Sequence, residues 1–122
     1  MSDAFLRPGV KQKGQDKPTL LEVVLRVQGD FRSRLASIDV TPLQAGVMLY
    51  LQRHVEAKLK DVASALGVQS PTMAGVIQDL VRDRWVTMQR ALHDDRTLSL
   101  QLTKRGQVLA RKIMDKIVAK QK

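Results

Sequence analysis

Residues 59–83 read LKDVASALGVQSPTMAGVIQDLVRD, and this stretch decides the fold. Its first part, residues 59–66, carries apolar side chains at helical spacing and is followed by Gly67, a residue typical of helix ends. Ser70 and Pro71 then predict a new helix start, with Ser70 as the N-cap and Pro71 behind it. Two helices joined by a short turn that contains glycine predict a helix-turn-helix.

The next stretch, residues 86–102, changes its apolar period from about 3.6 residues to about 2, which indicates strands. Trp85 leads into a first strand, and Leu alternates with polar residues over Thr97–Leu102. A polar loop, Ala91–Arg96, is expected between the two strands. Two strands that directly follow a helix-turn-helix form a wing. The sequence therefore predicts a mainly α fold with a small β-hairpin, a winged helix-turn-helix.

Capping signals mark the remaining helices. Thr19–Glu22 and Thr41–Gln44 both have the pattern of a capping box, in which Thr and Glu or Gln three residues later satisfy each other's backbone amides. The first begins an amphipathic helix over residues 19–38, and the second begins another helix. Thr103 is predicted to cap a last helix, residues 104–121, whose apolar stripe faces away from its Lys and Arg residues.

A chain of 122 residues is expected to form one domain. Residues 1–18 contain Pro and Gly without an apolar period and are predicted to be a flexible tail, so that the domain spans residues 19–122. The helices at 19–38 and 104–121 carry apolar stripes and lie outside the helix-turn-helix and the wing, and we expect them to be dimerisation helices. A role confined to the core of one copy is the alternative.

The net charge of +9 suggests a polyanionic partner, with nucleic acid ahead of an anionic membrane surface. The charge is unevenly distributed, because residues 19–103 carry a net charge of +1 and residues 104–122 a net charge of +6. The basic C-terminal segment is interpreted as a solvated helix face. A longer phosphate-contacting surface and a partner for an acidic neighbour are the alternatives.

Composition also excludes several classes of protein. The chain has no Cys, which excludes a disulfide framework, a Cys-ligated zinc site and a thiol switch. His54 and His93 are the two histidines and are not at metal-ligand spacing, and no phosphate-binding glycine loop or carboxylate pair is present. We therefore expect neither an enzyme nor a cofactor. Without a signal peptide or a membrane-spanning run, the expected location is the cytoplasm.

The start of the second helix of the helix-turn-helix is the predicted DNA reader, because this part of the motif lies nearest the base edges in the major groove. Gln69 and Gln78 can hydrogen-bond base edges, with adenine as the best match, while Ala74 and Gly75 let the backbone approach closely. An ordinary solvated helix face is the alternative interpretation of these polar residues. The predicted DNA contacts on this helix are Gln69, Ser70, Pro71, Thr72, Ala74, Gly75 and Gln78.

The wing adds Arg90, His93 and Arg96 to the predicted DNA contacts. Arg96 is the favoured candidate, because an Arg at a hairpin tip can enter a narrow, A·T-rich minor groove. Asp94 and Asp95 would be repelled by DNA, so we expect one of them to pair with an Arg and shape the loop. Plain solvent-exposed surface is the alternative for an Arg in such a charged loop.

Over residues 20–120, the chain resembles the MarR family of transcription regulators. The resemblance is carried by residues 61–68 (DVASALGV), Ser70–Met73, the wing sequence Asp94–Arg96 and the exit Leu102–Gly106 (LTKRG). It implies a homodimeric regulator, usually a repressor, that binds a pseudo-palindromic operator. Members often release DNA when a small anionic or phenolic compound binds between the dimerisation and DNA-binding regions.

Three residues depart from the pattern of the family. Asp95 stands where the wing usually has Arg, Arg84 where the recognition helix usually ends in Gly, and Gly75 where Arg is frequent. These differences are expected to weaken phosphate affinity or to change specificity. Members typically add a further C-terminal helix, so the interface here is expected to rest on residues 19–38 and 104–121, and the effector pocket is in question.

Together, these patterns predict a sequence-specific DNA-binding transcription regulator whose partners are double-stranded DNA, a second copy of the chain and a small-molecule effector. The alternative is a winged-helix architectural DNA-binding or protein-interaction module without sequence-specific regulation. The nearly neutral DNA reader slightly favours that alternative. Salt-dependent binding without sequence preference would distinguish an architectural protein from a regulator.

Overall fold

A computed structural model describes residues 17–91 and 94–118. The predicted N-terminal tail, residues 1–18, therefore lies almost wholly outside the described residues, as do His93 and the end of the last helix. The chain divides into two compact units, Met1–Asp30 and Phe31–Lys122. The described elements are α1 (Leu20–Leu35), a 3₁₀ turn (Ala36–Ile38), α2 (Pro42–Arg53), β1 (Ala57–Lys58), α3 (Leu59–Leu66), α4 (Ser70–Arg82), β2 (Val86–Ala91), β3 (Asp94–Leu102) and α5 (Lys104–Ile117).

The first compact unit contains the start of α1, and the predicted capping box is present there. The backbone amide of Thr19 donates to Glu22 Oε1 at 2.8 Å, and the amide of Glu22 donates to Thr19 Oγ1 at 3.1 Å. These two bonds satisfy amides that have no partner inside the helix. Apolar side chains at the start of this helix remain exposed in the single chain, namely Leu20, Leu21, Val23, Val24, Leu25 and Val27.

The second compact unit contains the core, and α2 lies within it. Thr41 and Gln44 form the predicted capping box through two bonds of 3.1 Å, and Pro42 occupies the first helical position. The core is aliphatic, as the composition requires, and no polar or charged residue of the described part is buried. Its largest fully buried side chains are Leu35, Met48, Met73, Ile77, Leu80, Leu100 and Ile113.

The helix-turn-helix consists of α3 and α4. Gly67 has φ of 68° and ends α3, with the Val68 amide donating to Ala63 O at 2.9 Å and the Gly67 amide to Ser64 O at 3.2 Å. This pair of bonds is a Schellman motif, and it requires the left-handed conformation that Gly adopts without strain. The turn predicted at Gly67 is therefore confirmed.

The predicted start of α4 is wrong by one residue. Gln69, with φ of −70° and ψ of 148°, is the N-cap, and its carbonyl accepts the first helical bond, from Met73 N at 3.0 Å. Ser70 is therefore already helical, and Pro71 is the second helical residue. Pro fits there because an amide at that position has no partner inside the helix. The Gln69 side chain makes no capping bond.

The strands form a three-stranded antiparallel sheet in the order β1-β3-β2. Strand β1 has two residues, and Ala57 pairs with Leu100. In the wing, the pairing runs from Val86 opposite Leu102 to Ala91 opposite Asp94, with a register shift between Arg90 and Ala91. The predicted loop Ala91–Arg96 is therefore too long, because its ends belong to paired strands.

The last helix, α5, begins at the predicted cap, where the amide of Gly106 donates to Thr103 Oγ1 at 2.9 Å. Leu109, Ala110 and Ile113 are buried, and the Lys and Arg residues of this helix lie on its other side. The helix ends at Ile117, whereas its last predicted residues lie outside the described part. No helix in the described ranges is long and apolar enough to cross a membrane.

Candidate nucleic-acid interface

Helix α4 presents the predicted reader as an exposed and uncharged surface. Gln69, Ser70, Pro71 and Thr72 are exposed at its N-terminal end, and Gln78 is exposed two turns later. Since neither Gln69 nor Ser70 caps the helix through its side chain, both side chains are available to a partner. The N-terminal end of a helix favours an adjacent anion, such as a phosphate.

The residues in the middle of this surface have a small side chain or none. Ala74 is half-buried, whereas Gly75 is exposed, and a Cβ placed on Gly75 would have no atom within 4 Å. Pro71 and Gln78 lie one turn before and one turn after Gly75 on the same face, because helical residues three and four apart are neighbours. Six of the seven residues predicted on this helix are thus exposed, five of them between Gln69 and Gly75 and the sixth, Gln78, one turn further along.

The C-terminal half of α4 carries an ion pair that the sequence analysis missed. Arg82 Nη1 lies 3.0 Å from Asp79 Oδ1, and Arg82 Nε lies 3.8 Å from Asp83 Oδ1. The spacing of three residues between Asp79 and Arg82 is the signal that could have revealed it. Because this Arg is next to two carboxylates, the charge available to phosphate is reduced at this end of the helix.

The junction between α4 and the wing is held by residues distant in sequence. Arg84 has φ of 65°, its amide donates to Val81 O at 2.9 Å, and the Trp85 amide donates to Leu80 O at 3.0 Å. Thr103 Oγ1 donates to Arg84 O at 2.8 Å, and the Thr103 amide donates to Trp85 O at 3.1 Å. We call Arg84, Trp85, Thr103 and Gly106 the wing-base junction.

Gly106 completes the wing-base junction by its lack of a side chain. A Cβ on this residue would overlap the carbonyl oxygen of Trp85 and would lie 3.2 Å from Leu102 Cδ2. The Leu-Thr-x-x-Gly exit therefore has a structural role here. Thr103 caps α5 and binds the turn after α4, while Gly106 lets the two segments come into contact.

The wing places Arg90 on β2, where its side chain is exposed. The backbone of Arg96 lies within β3, between Asp94 and Leu98, where the pairing with β2 shifts register, so this residue belongs to the bulged part of the wing rather than to the loop at its tip. The side chains of Asp94, Asp95 and Arg96 lie outside the described part, so the expected pairing of an Asp with an Arg stays a prediction. His93 also lies outside the described residues.

The described residues contain no group of three or more His, Asp or Glu side chains that could hold a metal ion. His54 follows the last residue of α2, where its Nδ1 lies 3.0 Å from the carbonyl oxygen of Tyr50 and its ring stacks on the Tyr50 ring with centroids 4.1 Å apart. These contacts fit a side chain that packs at a helix end.

A groove of about 330 Å³ separates the end of α2 from β3 and α5. Its walls combine apolar side chains with the amides of three Gln residues and the guanidinium of Arg111. The residues that line it are Leu51, Gln52, Val55, Gln101, Leu102, Gln107 and Arg111. Arg111 brings a positive charge to this groove, while the Glu56 carboxylate accepts a bond of 3.4 Å from the amide of Gln101, one of the residues that line it.

Comparison with known proteins gives a consistent result. The model of the MarR family matches residues 38–97, which run from the end of the 3₁₀ turn into β3. A transcriptional repressor, CouR, bound to a 23-mer DNA duplex is similar with a TM-score of 0.78 and 25% identity, covering 82% of this chain and 70% of its own. A search of the curated proteins found no match.

Two further solved structures share the fold at lower identity. Wild-type MarR from E. coli in its apo form has a TM-score of 0.75 and 17% identity, covering 85% of this chain and 79% of its own. The S. aureus MepR–DNA complex has a TM-score of 0.66 and 21% identity, and covers 80% of each chain. The winged helix-turn-helix architecture predicted from the sequence is therefore confirmed.

Proposed function

Because the chain belongs to the MarR family of winged helix-turn-helix transcription regulators, we propose that it binds a specific DNA sequence and regulates transcription there, as a repressor. The observation that carries this proposal is the exposed, uncharged start of α4 beside a two-stranded wing. That surface has the form of a major-groove reader. CouR and MepR, which share this architecture, were solved with DNA bound.

The proposed recognition surface divides into base contacts and phosphate contacts. Gln69 and Gln78 read base edges through their amides, and Ser70 and Thr72 reach phosphates or bases. Ala74 contacts a thymine methyl, while Pro71 and Gly75 allow close approach. Since this helix is nearly uncharged at its start, specificity comes from α4 and a large share of the affinity must come from elsewhere.

The wing supplies the missing phosphate attraction in this proposal. Arg96, Arg90 and His93 lie on or next to the hairpin that approaches the minor groove, and Arg96 is assigned the deepest contact. Arg82 is the one Lys or Arg of the reading helix, and it is flanked by carboxylates at 3.0 and 3.8 Å. We therefore expect a modest affinity with a shallow salt dependence, because few counterions are released.

We propose that the regulator is a homodimer located in the cytoplasm. In the first unit, Leu20 is 78% exposed and Leu21 is 64% exposed, although both belong to a helix with good capping. In the second unit, Val118 is 60% exposed just after α5. A second copy that covers these apolar side chains would place two reading helices on two half-sites about one turn of DNA apart.

The groove beside Arg111 is the proposed effector site. Its guanidinium offers two parallel donors to a carboxylate, and Leu51, Leu102 and Val55 offer apolar contacts to the body of a small compound. Binding of a benzoate-type anion should therefore weaken when Arg111→Gln removes the charge. Unchanged binding of the anion to that variant, measured by calorimetry, would remove this groove from consideration.

Selection of bound fragments from random DNA tests the central proposal. We expect an inverted repeat whose half-sites lie about one helical turn apart. Gln78→Ala should then change base preference at one position per half-site, and Arg96→Ala should weaken binding to all sequences without unfolding the domain. Recovery of fragments without any shared sequence would favour the architectural alternative, and unchanged affinity of Arg96→Ala at moderate salt would remove Arg96 from the interface.

A further inference from the structure

Gly75 is a glycine that the fold itself does not require. It lies in the interior of α4, where glycine costs about 1 kcal/mol relative to Ala. The positive-φ glycine among the described residues is Gly67, so Gly75 does not supply a left-handed turn. A Cβ at Gly75 would also have open space, with no atom within 4 Å.

Two other glycines of the second unit show what a structural requirement looks like. Gly106 excludes a Cβ because the Trp85 carbonyl oxygen occupies its place, and Gly67 requires its positive φ. Gly46 faces Leu66, whose methyl groups would lie 3.6 and 3.7 Å from an added Cβ, which is ordinary contact. Gly75 has neither a close neighbour nor special backbone angles, and unlike the half-buried Gly46 it is exposed on the face that carries Pro71 and Gln78, so a bound partner is where its lack of a side chain can act.

The surroundings of Gly75 define what that partner offers. Its own backbone amide lies in the helix interior and is used in helical hydrogen bonding, and no charged side chain stands at this position. The exposed surface at Gly75 is therefore the Cα and the adjoining backbone, which is suited to an apolar group rather than to a phosphate. Among the groups in the major groove, the C5-methyl of thymine is apolar and projects toward a docked helix.

We infer that Gly75 is a specificity-determining residue that admits the C5-methyl group of a thymine against the backbone of α4. This inference rests on the proposed function, since it names one base that the reading helix recognises. A side chain on residue 75 would occupy the volume that the methyl group fills. The same contact would accept 5-methylcytosine, which carries the same group at the same ring position.

The test combines two changes, one that removes a methyl group from the DNA and one that adds a methyl group to the protein. In the operator obtained by selection, each thymine is replaced in turn by deoxyuridine, which lacks the methyl, and Kd is measured at fixed salt for the wild type and for Gly75→Ala. At two positions per half-site, the thymine that Ala74 contacts and the thymine that Gly75 admits, deoxyuridine should weaken wild-type binding about fourfold, the factor that corresponds to one buried methyl-sized group. Only the position opposite Gly75 should respond to the protein variant. Gly75→Ala should bind the thymine operator more weakly and prefer deoxyuridine at that same position.

Gly46→Ala is the matched control, because it adds the same methyl to a helix-interior glycine away from the α4 surface. Both variants should unfold at a higher temperature than the wild type, by roughly 4 °C for a domain of this size. A loss of DNA affinity in Gly75→Ala therefore cannot come from unfolding, and Gly46→Ala should bind all operators as the wild type does.

Two outcomes would overturn the inference while leaving the proposed function intact. One is equal affinity of Gly75→Ala and wild type for the selected operator, and the other is a loss that is the same for every deoxyuridine position. A wild-type protein that selects no common sequence would overturn the proposed function, and the assignment of Gly75 with it.

Discussion

The turns that follow α3 and α4 have the same backbone structure but reach it by different means. After α3, Gly67 has φ of 68°, and after α4, Arg84 has φ of 65°. In both turns the amide of the next residue donates to the carbonyl oxygen of the residue five positions earlier. Val68 donates to Ala63 O at 2.9 Å, and Trp85 donates to Leu80 O at 3.0 Å. One Schellman motif is therefore built around glycine and the other around an arginine.

The surroundings explain how the second turn tolerates its arginine. A Cβ at Gly67 would have no atom within 4 Å, and the two hydrogen bonds of this turn join residues within 63–68, so the glycine itself allows the left-handed angle. At the wing-base junction, by contrast, Thr103 binds both Arg84 O and Trp85 O, at 2.8 and 3.1 Å. The first turn is encoded locally, whereas the second is imposed by a segment about twenty residues further along the chain.

The largest expected effect comes from breaking the imposed turn at Gly106. In Gly106→Ala the new methyl overlaps the carbonyl oxygen of Trp85, and neither can move aside cheaply, because the oxygen belongs to the backbone and the methyl is bonded directly to Cα. We expect a loss of about 3 kcal/mol in the free energy of unfolding, measured by urea denaturation at fixed protein concentration. Gly75→Ala, which meets no atom, should not be destabilised, and equal stability of the two variants would contradict the role of this contact.

Removal of the Thr103 hydroxyl should have the next largest effect. Thr103→Val keeps the shape of the side chain but loses the bond to Arg84 O and the cap on the Gly106 amide. Together these bonds should be worth about 2 kcal/mol of stability. Thr103→Ser keeps the hydroxyl and should retain most of this stability. If Val and Ser variants denature at the same urea concentration, the hydroxyl does not hold the junction.

Structural features that depend on residues close together in the sequence could be predicted, whereas features that depend on distant residues could not. The capping box of Thr41 and Gln44 and the turn at Gly67 were predictable, because each depends on residues within a few positions of one another. Strand β1 was missed, since Ala57–Lys58 is a strand only through its pairing with β3. The N-cap at Ser70 was misplaced because Pro71 is tolerated at the second helical position as well as the first.

The candidate interface follows the same division. Its reading helix could be located from apolar spacing, and six of its seven predicted residues are exposed, whereas Ala74 is half-buried. The wing loop was predicted too long, because Asp94 pairs with Ala91 across the hairpin in spite of its low strand propensity. The contact between Gly106 and Trp85 had a sequence signal in the LTKRG exit, but its physical reason needed the fold.

A smaller effect is expected at the locally encoded turn. Gly67→Ala keeps both backbone hydrogen bonds of the turn, and the new methyl meets no atom, so its cost is confined to the left-handed backbone angle. We expect a loss of about 1 kcal/mol in the free energy of unfolding. Gly67→Asn should lose less, because Asn tolerates this conformation better than Ala. Equal stability of Ala and Gly at this position would show that the turn is not maintained by glycine.

Arg84→Gly should have the smallest effect, and its sign is opposite. The left-handed angle strains an arginine, so glycine should raise the free energy of unfolding by about 0.5 kcal/mol, the gain being limited by the greater backbone freedom of glycine in the unfolded chain. Arg84→Ala removes the same charge but keeps the strain and should not be stabilised. Calorimetric unfolding of the two variants separates charge from backbone strain. If both variants were equally stabilised, the destabilising feature would be the positive charge of Arg84, which is repelled by the other cations of the chain. If Gly alone were stabilised, the strain at Arg84 would be real, and the family's usual glycine at this turn would be explained by conformation rather than by contact with DNA.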